Sequence, residues 1–594
     1  MLRKAQHNQN RQQTMKSLDF SKFPPLSLLL LGLLPLLPWL APWHLQPVIT
    51  FHLEWLALAG GLLACAAALP SLWRSEHLQL PRTLWLPLTL AAYLALQSKL
   101  LPQVVAPHAY MGMAYLVWAA LMMVLMAYLR QQFGGERVGG WLAGGLVTAA
   151  ALVAWRELCG RLSGEIGDWG GVGQANNYGD FLALGSVSLL YWHALGRLPR
   201  WVFAFCGFSL MLGLSLTPSR SVLLYWLAIF VIAWRYRSAW LKPISLGLFG
   251  YLALQGLWSL GVLPDAQLSS AERMLQPTSG ASPRWHIWQV AWHLFLQQPL
   301  LGQGFGQFDT AYFQAGHYIP ALPTYIEHAH NLILHLLAEL GLLPVLLLLL
   351  AISRWIRPVL AVGEGTTQQA FKTWLMLLAA ILGIHSMLEY PLWYAPFLGV
   401  AAMVLGLGDE LSRPIAWKKT GTVIAGFCIA AAASVAVVHE AHYLRMELAL
   451  LATVAQPSQQ RSDHLVDVCQ KAVTQAPLLE PYVPMIFTFT GQPDDLAMRP
   501  QLTVLADVAV RFVPANNLVY RLALMQALNG DQQASKNTLS RALAAYPNDA
   551  SKFIVDLFHL KGPDSAKVNF MLPMLASTLG AKVVTSSGAP AKQL

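Results

Sequence analysis

The stretch LSLLLLGLLPLLPWLAPW, Leu26 to Trp43, is apolar throughout and carries no charge. At about 1.5 Å of rise per helical residue, such a run approaches the thickness of a hydrocarbon layer of about 30 Å. A basic leader (Arg3, Lys4, Arg11, Lys16, Lys22) precedes it, no convincing small-residue cleavage site accompanies it, and a second apolar run at 49–69 follows at once. It therefore reads as a retained first helix and not as a signal peptide. Continuing along the chain, comparable runs recur to residue 439, among them 178–195, 221–235, 329–351, 371–388 and 420–439, about thirteen in all by length and apolarity. The 594 residues are 56% hydrophobic and 11% charged, so the bilayer is the main solvent. The expected fold class is an all-α polytopic membrane protein of about 13 transmembrane helices with a C-terminal soluble α-helical, TPR-like domain.

The net charge of +10 lies between the apolar runs and not in a patch with interleaved aromatics, which points to topology and away from nucleic acid. With the amino terminus inside, every inner connection is basic: Arg74 and Arg82, Arg130 and Arg137, Arg197 and Arg200, Arg235 to Lys242, Arg354 to Lys372, and Arg413 to Lys419. Outer connections are poorer in positive charge, holding Lys99, Arg156, Arg161, Arg220, Arg273 and Arg284. The expected organisation is a cytoplasmic basic N-terminus (1–24), a transmembrane region (25–439) with a large periplasmic loop (263–328), a periplasmic α-helical domain (440–585) and a disordered Ser/Gly/Ala/Pro-rich tail (586–594). Within the C-terminal part, Arg521 to Tyr546 reads as a helical hairpin with a Gly-Asp turn, and His464 to Gln475 as a further helix ending before Pro477. The five cysteines form no CxxC or disulfide framework, and a Cys159–Cys469 pairing is not favoured.

Polar residues at the outer ends of these spans are the candidates for chemistry. Arg220, in TPSRS, and Arg284, which opens SPRWHIWQVAWHLF, suit a phosphate or diphosphate, because a planar guanidinium donates paired hydrogen bonds to its oxygens. The structural alternative is snorkelling to headgroups, with Trp285, Trp288 and Trp292 anchoring an interfacial helix. In YIEHAHN, Tyr325 to Asn331, His330 stands at the outer mouth and suits a general base. Asn331, His335 and Glu339 then form a polar stripe at i, i+4, i+8, which inside a membrane helix must meet polar partners such as His385. The pair His328 and His330 alone supplies too few ligands for zinc, and no HExxH occurs. The segment GGVGQANNYGD, Gly170 to Asp180, offers the amides of Gln174, Asn176 and Asn177, with Tyr178 beside them, or is simply a turn before a helix. It is neither a dinucleotide nor a phosphate-loop fingerprint. In HSMLEYPLWY, Glu389 is placed to orient His330 or contact Arg284, with Tyr390 next to it, unless Pro391 and the aromatics merely build an interfacial turn.

The ordered set GQANNYGD, TPSRS, SPRWHIW, HAHNLILHLLAELG and LEYPLWY, spanning roughly 165–410, resembles the bacterial O-oligosaccharyltransferases of the PglL type within the O-antigen ligase and polymerase superfamily. The long helical C-terminal part is similar as well. The loop carries Gly179 where that family is expected to have a small residue such as alanine. The resemblance implies an inner-membrane enzyme with its active site facing the periplasm, an undecaprenyl-diphosphate-linked glycan as donor, a protein Ser or Thr acceptor such as pilin, and no metal, nucleotide or other cofactor. It further implies that Arg220 and Arg284 neutralise the diphosphate, that His330 deprotonates the acceptor with inversion at the anomeric carbon, and that Gln174, Asn176, Asn177, Tyr178, Glu389 and Tyr390 shape the donor cleft. The alternatives are an O-antigen ligase acting on lipopolysaccharide, against which the C-terminal domain argues, and a Wzy-type polymerase. A transporter would instead show charged residues near midmembrane and repeated halves, and neither is seen.

Overall fold

The computed structural model describes residues 25–41, 47–164, 168–196, 198–236, 240–260, 283–315, 324–361, 365–492, 495–560 and 563–587. The basic leader, much of the 263–328 loop including Arg273, and residues 588–594 of the tail lie outside the described residues. The helices are α1 (Leu26–Leu33), α2 (Phe51–Leu72), α3 (Trp85–Leu100), α4 (Ala106–Phe133), α5 (Gly135–Ser163), α6 (Ala175–Ala194), α7 (Arg200–Leu216), α8 (Ser221–Arg235) and α9 (Leu241–Ser259). Next come α10 (Pro283–Gln297), α11 (Phe308–Ala315), α12 (Leu332–Leu340), α13 (Leu342–Leu360), α14 (Thr366–Leu388), α15 (Ala395–Gly408) and α16 (Lys419–Ala455). The C-terminal helices are α17 (Gln459–Gln475), α18 (Tyr482–Thr490), α19 (Arg499–Phe512), α20 (Asn516–Leu528), α21 (Gln532–Ala545), α22 (Ala550–Phe558), α23 (Pro563–Val568) and α24 (Met571–Ser587). The chain is an all-α membrane protein in which α2, α4, α5, α13, α14 and α16 are each long and apolar enough to cross a bilayer alone. Shorter apolar helices such as α7, α8 and α15 pack among them.

Small residues let these helices approach closely, as expected where lipid gives no hydrophobic drive for association. A Cβ on Gly145 of α5 would lie 2.0 Å from the Gly32 carbonyl oxygen of α1, and one on Gly406 of α15 would lie 2.4 Å from that of Met123 in α4. The connections sort to two ends. A short antiparallel ribbon pairs β1 (His77–Leu80) with β2 (Arg413–Ala416), in register His77 with Ala416. Lys372 is paired with Glu410 at 3.1 Å, and Arg130 donates to the Leu407 carbonyl at 3.0 Å, so these basic connections share one end. At the opposite end lie the loops before α6, α8, α12 and α15, together with the C-terminal helices.

Two spans read as continuous are broken. The 25–43 run is helical only to Leu33, then turns through Leu37–Leu40, because Pro35 and Pro38 lack the amide hydrogens that a helix interior needs. The 329–351 run is two helices: α12 ends at Gly341, whose φ of +79° is the left-handed stop that permits α13 to start in a new direction. The 420–439 run extends to Ala455, and its flanks expose Val423, Ile424, Phe427 and Val435, a surface suited to lipid. Where α16 continues past the bundle, Glu440 and Glu447 grip His52 of α2 at 2.8 and 3.0 Å, and Tyr443 stacks on Phe51 with ring centroids 3.6 Å apart. The expected hairpin near Arg521–Tyr546 corresponds to α20 and α21, joined at Gly530 with φ of +93° and capped by Asp531, which accepts from Ala534 N at 2.9 Å. Cys159 is exposed, Cys469 is buried, and both are free.

Candidate active site

Glu389 ends α14, and its side chain is only 4% exposed. Oε1 accepts from Asn176 Nδ2 at 2.7 Å and from Arg284 Nη2, while Oε2 faces His330 Nδ1 at 2.7 Å. One carboxylate therefore joins three of the motifs. Burial pushes its pKa up, but the His330 hydrogen bond and the charges of His330 and Arg284 outweigh this and hold it below the ordinary glutamate range. Because an ionised carboxylate only accepts, Nδ1 of His330 carries the hydrogen directed at Glu389, and Nε2 is the nitrogen that a neutral ring uses to accept. With 24% of the side chain exposed, that nitrogen is placed to take a proton.

The backbone is bent to achieve this. Asn331 caps α12, its Oδ1 accepting from Leu334 N at 3.1 Å, and His330 immediately before it has φ of +49°. For a residue with a Cβ this left-handed conformation costs about 1–2 kcal/mol, so surrounding contacts impose it. Tyr390 meets the His330 ring edge-on at 5.4 Å, and Trp288 Nε1 donates to the Ala329 carbonyl at 3.1 Å. Trp288 is thus turned inward, whereas Trp285 and Trp292 are exposed.

Arg220 caps α8 without a side-chain bond to the helix, and among the described residues its exposed guanidinium has no carboxylate partner. Its loop is tied to the start of α6, since Thr217 Oγ1 donates to the Ala175 carbonyl at 3.0 Å, next to Asn176. Of the neighbouring amides, Gln174 and Asn177 each bury a side-chain oxygen that lacks a hydrogen-bond partner. Tyr178 is fully buried, its hydroxyl packed near Gly213 on α7. The structure therefore gathers Asn176, Arg284 and His330 on Glu389 and puts Tyr178 into helix packing instead. Arg156 and Arg161 pair with Asp168 at 2.9 Å and Glu157 at 2.7 Å, holding the Gly-rich loop.

One turn deeper lies a second polar layer that the motifs did not single out. His385 Nδ1 is 3.3 Å from Asp180 Oδ1 and 3.1 Å from the Tyr225 hydroxyl, and all three residues are 0–1% exposed. His385 is therefore not the partner of the Asn331–His335–Glu339 stripe, and that stripe lies on α12, a nine-residue helix ahead of the span and not within it. His335 Nε2 approaches Glu339 at 3.4 Å, while Glu339 Oε1 accepts from Phe308 N at 3.1 Å. A further feature missed in sequence is Gly302-Gln303-Gly304-Phe305-Gly306, where every glycine has positive φ and the loop wraps the end of α12. Glycine at alternate positions was the available signal. Gln97, fully buried, bonds both sides of that wrap, to the Leu301 and Glu339 carbonyls at 2.7 and 2.8 Å. His328 lies against Tyr390 with ring centroids 4.0 Å apart and planes tilted by 45°, and burial, then the charges of His335 and His330, drive its pKa well below the ordinary value. Among the described residues, no group of three or more His, Cys, Asp and Glu side chains is placed to hold a metal ion.

Residues 201–350 match the O-antigen ligase family, and residues 373–557 match the C-terminal region of the virulence factor membrane-bound polymerases. Arg220, Arg284 and His330 fall in the first match and His385 and Glu389 in the second, so the carboxylate cluster forms where the two meet in space. A relative from Acinetobacter baylyi, a general O-oligosaccharyltransferase, is 27% identical over 410 residues, covering 64% of this chain and 69% of that protein. These findings support a multi-pass membrane enzyme of glycosyltransferase type, with an O-linked glycosylation or ligase function. The resemblance of the five motifs to the PglL-type O-oligosaccharyltransferases of the O-antigen ligase superfamily is thus supported by both family matches and by this relative.

Proposed function

We propose that this protein transfers a preassembled oligosaccharide from undecaprenyl diphosphate to Ser or Thr hydroxyls of periplasmic proteins such as pilins. The observation that carries the reading is the bridging of His330 and Arg284 by Glu389, which sets a proton acceptor beside an anion-binding group. The acceptor hydroxyl gives its proton to Nε2 of His330 as its oxygen bonds to the anomeric carbon. The bond from that carbon to the phosphate oxygen breaks, and its electron pair leaves with the lipid diphosphate. Direct displacement inverts the anomeric centre. Arg284 has donors left over after its bond to Glu389, and the exposed Arg220 supplies a second guanidinium, so the two share neutralisation of the leaving group. Asn176 is held by Glu389, and the unpartnered oxygens of Gln174 and Asn177 suit sugar hydroxyls.

The reaction as written requires no cofactor. An inner-membrane location with this end in the periplasm is supported by the basic connections, which gather at the opposite end. Intact mass spectrometry of periplasmic proteins from cells with and without the gene, beside a lipopolysaccharide gel, tests the reading. Loss of a glycan mass from protein with unchanged lipopolysaccharide is expected. The match of residues 201–350 to the O-antigen ligase family favours one second reading, ligation to the lipopolysaccharide core, and truncated lipopolysaccharide with unchanged protein would select it.

A further inference from the structure

We infer that the C-terminal helices are part of the catalytic apparatus: through Tyr325 and Phe313 they hold the segment that carries His330, in addition to any role with acceptors. The inference rests on His330 acting as the base. Residues 324–331 form no helix or strand, so the ladder that fixes most backbone is missing here and side-chain anchors must do it. The anchors point in different directions. Ile326 and Ala329 are buried with Ile287, Val290 and Phe308, against α10 and α11. Tyr325, five residues before His330, packs instead against the buried cluster of α20–α24, which includes Val519, Leu539, Tyr546 and Phe553.

Phe313 of α11 joins the same cluster, stacked on Tyr546 with centroids 6.0 Å apart and planes 10° from parallel. Polar bonds fix the register. Tyr325 donates to Asp309 Oδ2 at 2.7 Å, and Thr310, the next residue of α11, donates to the Arg511 carbonyl of α19 at 3.1 Å. The Tyr546 ring is itself set rigidly, because its hydroxyl donates to the Pro514 carbonyl and its own carbonyl accepts from Tyr520 at 3.0 Å. A chain segment that must keep His330 in a left-handed conformation is thus pinned at one end by Asn331 and at the other by the C-terminal helices. Tyr325 and Phe313 are positioning residues that touch no reacting atom.

The test separates positioning from acceptor docking. Phe313→Ala and Tyr325→Ala are assayed with lipid-linked donor against two acceptors, a short serine-containing peptide and a folded acceptor protein. The expected result is a fall in kcat of about tenfold or more on both acceptors, with KM for the protein little changed. A loss confined to the folded protein and expressed in KM would overturn the inference, as would unchanged kcat on both. Tyr325→Phe removes only the bond to Asp309 and keeps the packing. It is expected to lower kcat about threefold on both acceptors, which keeps the inference testable if the alanine variants fail to accumulate. His330→Ala is run alongside. Activity in that variant would reject the base assignment itself, whereas an inactive His330→Ala with unaffected anchor variants would reject only the positioning role.

Discussion

Helices α6 and α14 contribute to two polar layers four residues apart. Asn176 and Glu389 belong to the outer one, Asp180 and His385 to the inner one, and each layer sets an imidazole against a carboxylate. The difference lies in the second ring nitrogen. Nε2 of His330 is on a ring open to solvent, while Nε2 of His385 is buried with no hydrogen-bond partner, and Asp180 is wholly enclosed. Similar groups therefore have different capacities: the outer pair can exchange a proton with an incoming hydroxyl, and the inner pair can only hold α6, α8 and α14 together. Access, more than residue type, makes a histidine a base.

The sharpest way to break this contrast is His330→Ala, expected to lower transfer about a thousandfold with membrane abundance unchanged. Normal transfer would remove His330 from the chemistry. Glu389→Gln keeps the size but offers the Nδ1–H no anionic acceptor and loosens Arg284, so a fall of about a hundredfold in kcat is expected in the same assay. Arg284→Lys replaces a guanidinium that serves the carboxylate and, in the proposed reaction, a phosphate with a point charge, for about a tenfold loss in kcat/KM toward donor. Wild-type kinetics would assign Arg284 to the interface alone. In the inner layer, Tyr225→Phe is expected to cost about 1 kcal/mol of stability, read by thermal unfolding in detergent, with transfer reduced about threefold or less. A loss matching that of His330→Ala, in a folded variant, would erase the distinction between the layers.

The smallest expected effect lies outside both. Burial pushes Asp309 up to about 8, overcoming the bonds from Tyr325 and Thr310. The folded state thus favours the protonated acid. Its contribution is complete below the ordinary carboxylate range and is lost as pH rises through about 8. The melting temperature should fall as pH rises from about 5 to about 8 and level off above that, and Asp309→Asn should flatten that fall. An unchanged slope would place the titration elsewhere.

Much of the outer layer was legible because charged or amide residues stand out at the ends of apolar runs: Arg220, Arg284, His330 and Glu389 each sit at such a boundary. The inner layer was not, since Asp180 and His385 are single polar residues within helices, and Tyr225 and His385 lie 160 positions apart. The break at Gly341 was hidden by the leucines on both sides of it in LLAELGLLPVLLL, which join the run by length, and the positive φ at Gly341 reveals two helices. The break after Leu33 had a visible warning in Pro35 and Pro38 that the length of the run outweighed.

The grip of Glu440 and Glu447 on His52 ties nearly the first helix of the chain to nearly the last span, across 388 and 395 positions. Synthesis proceeds from the amino end, so the bundle carrying the Glu389 cluster emerges long before Tyr546 reaches Phe313. A nascent or truncated chain would thus hold both arginines and the histidine while lacking the brace that aligns them. If transfer runs as proposed, a chain would be kept from discharging a lipid-linked sugar until the C-terminal helices have closed on Phe313 and Tyr325.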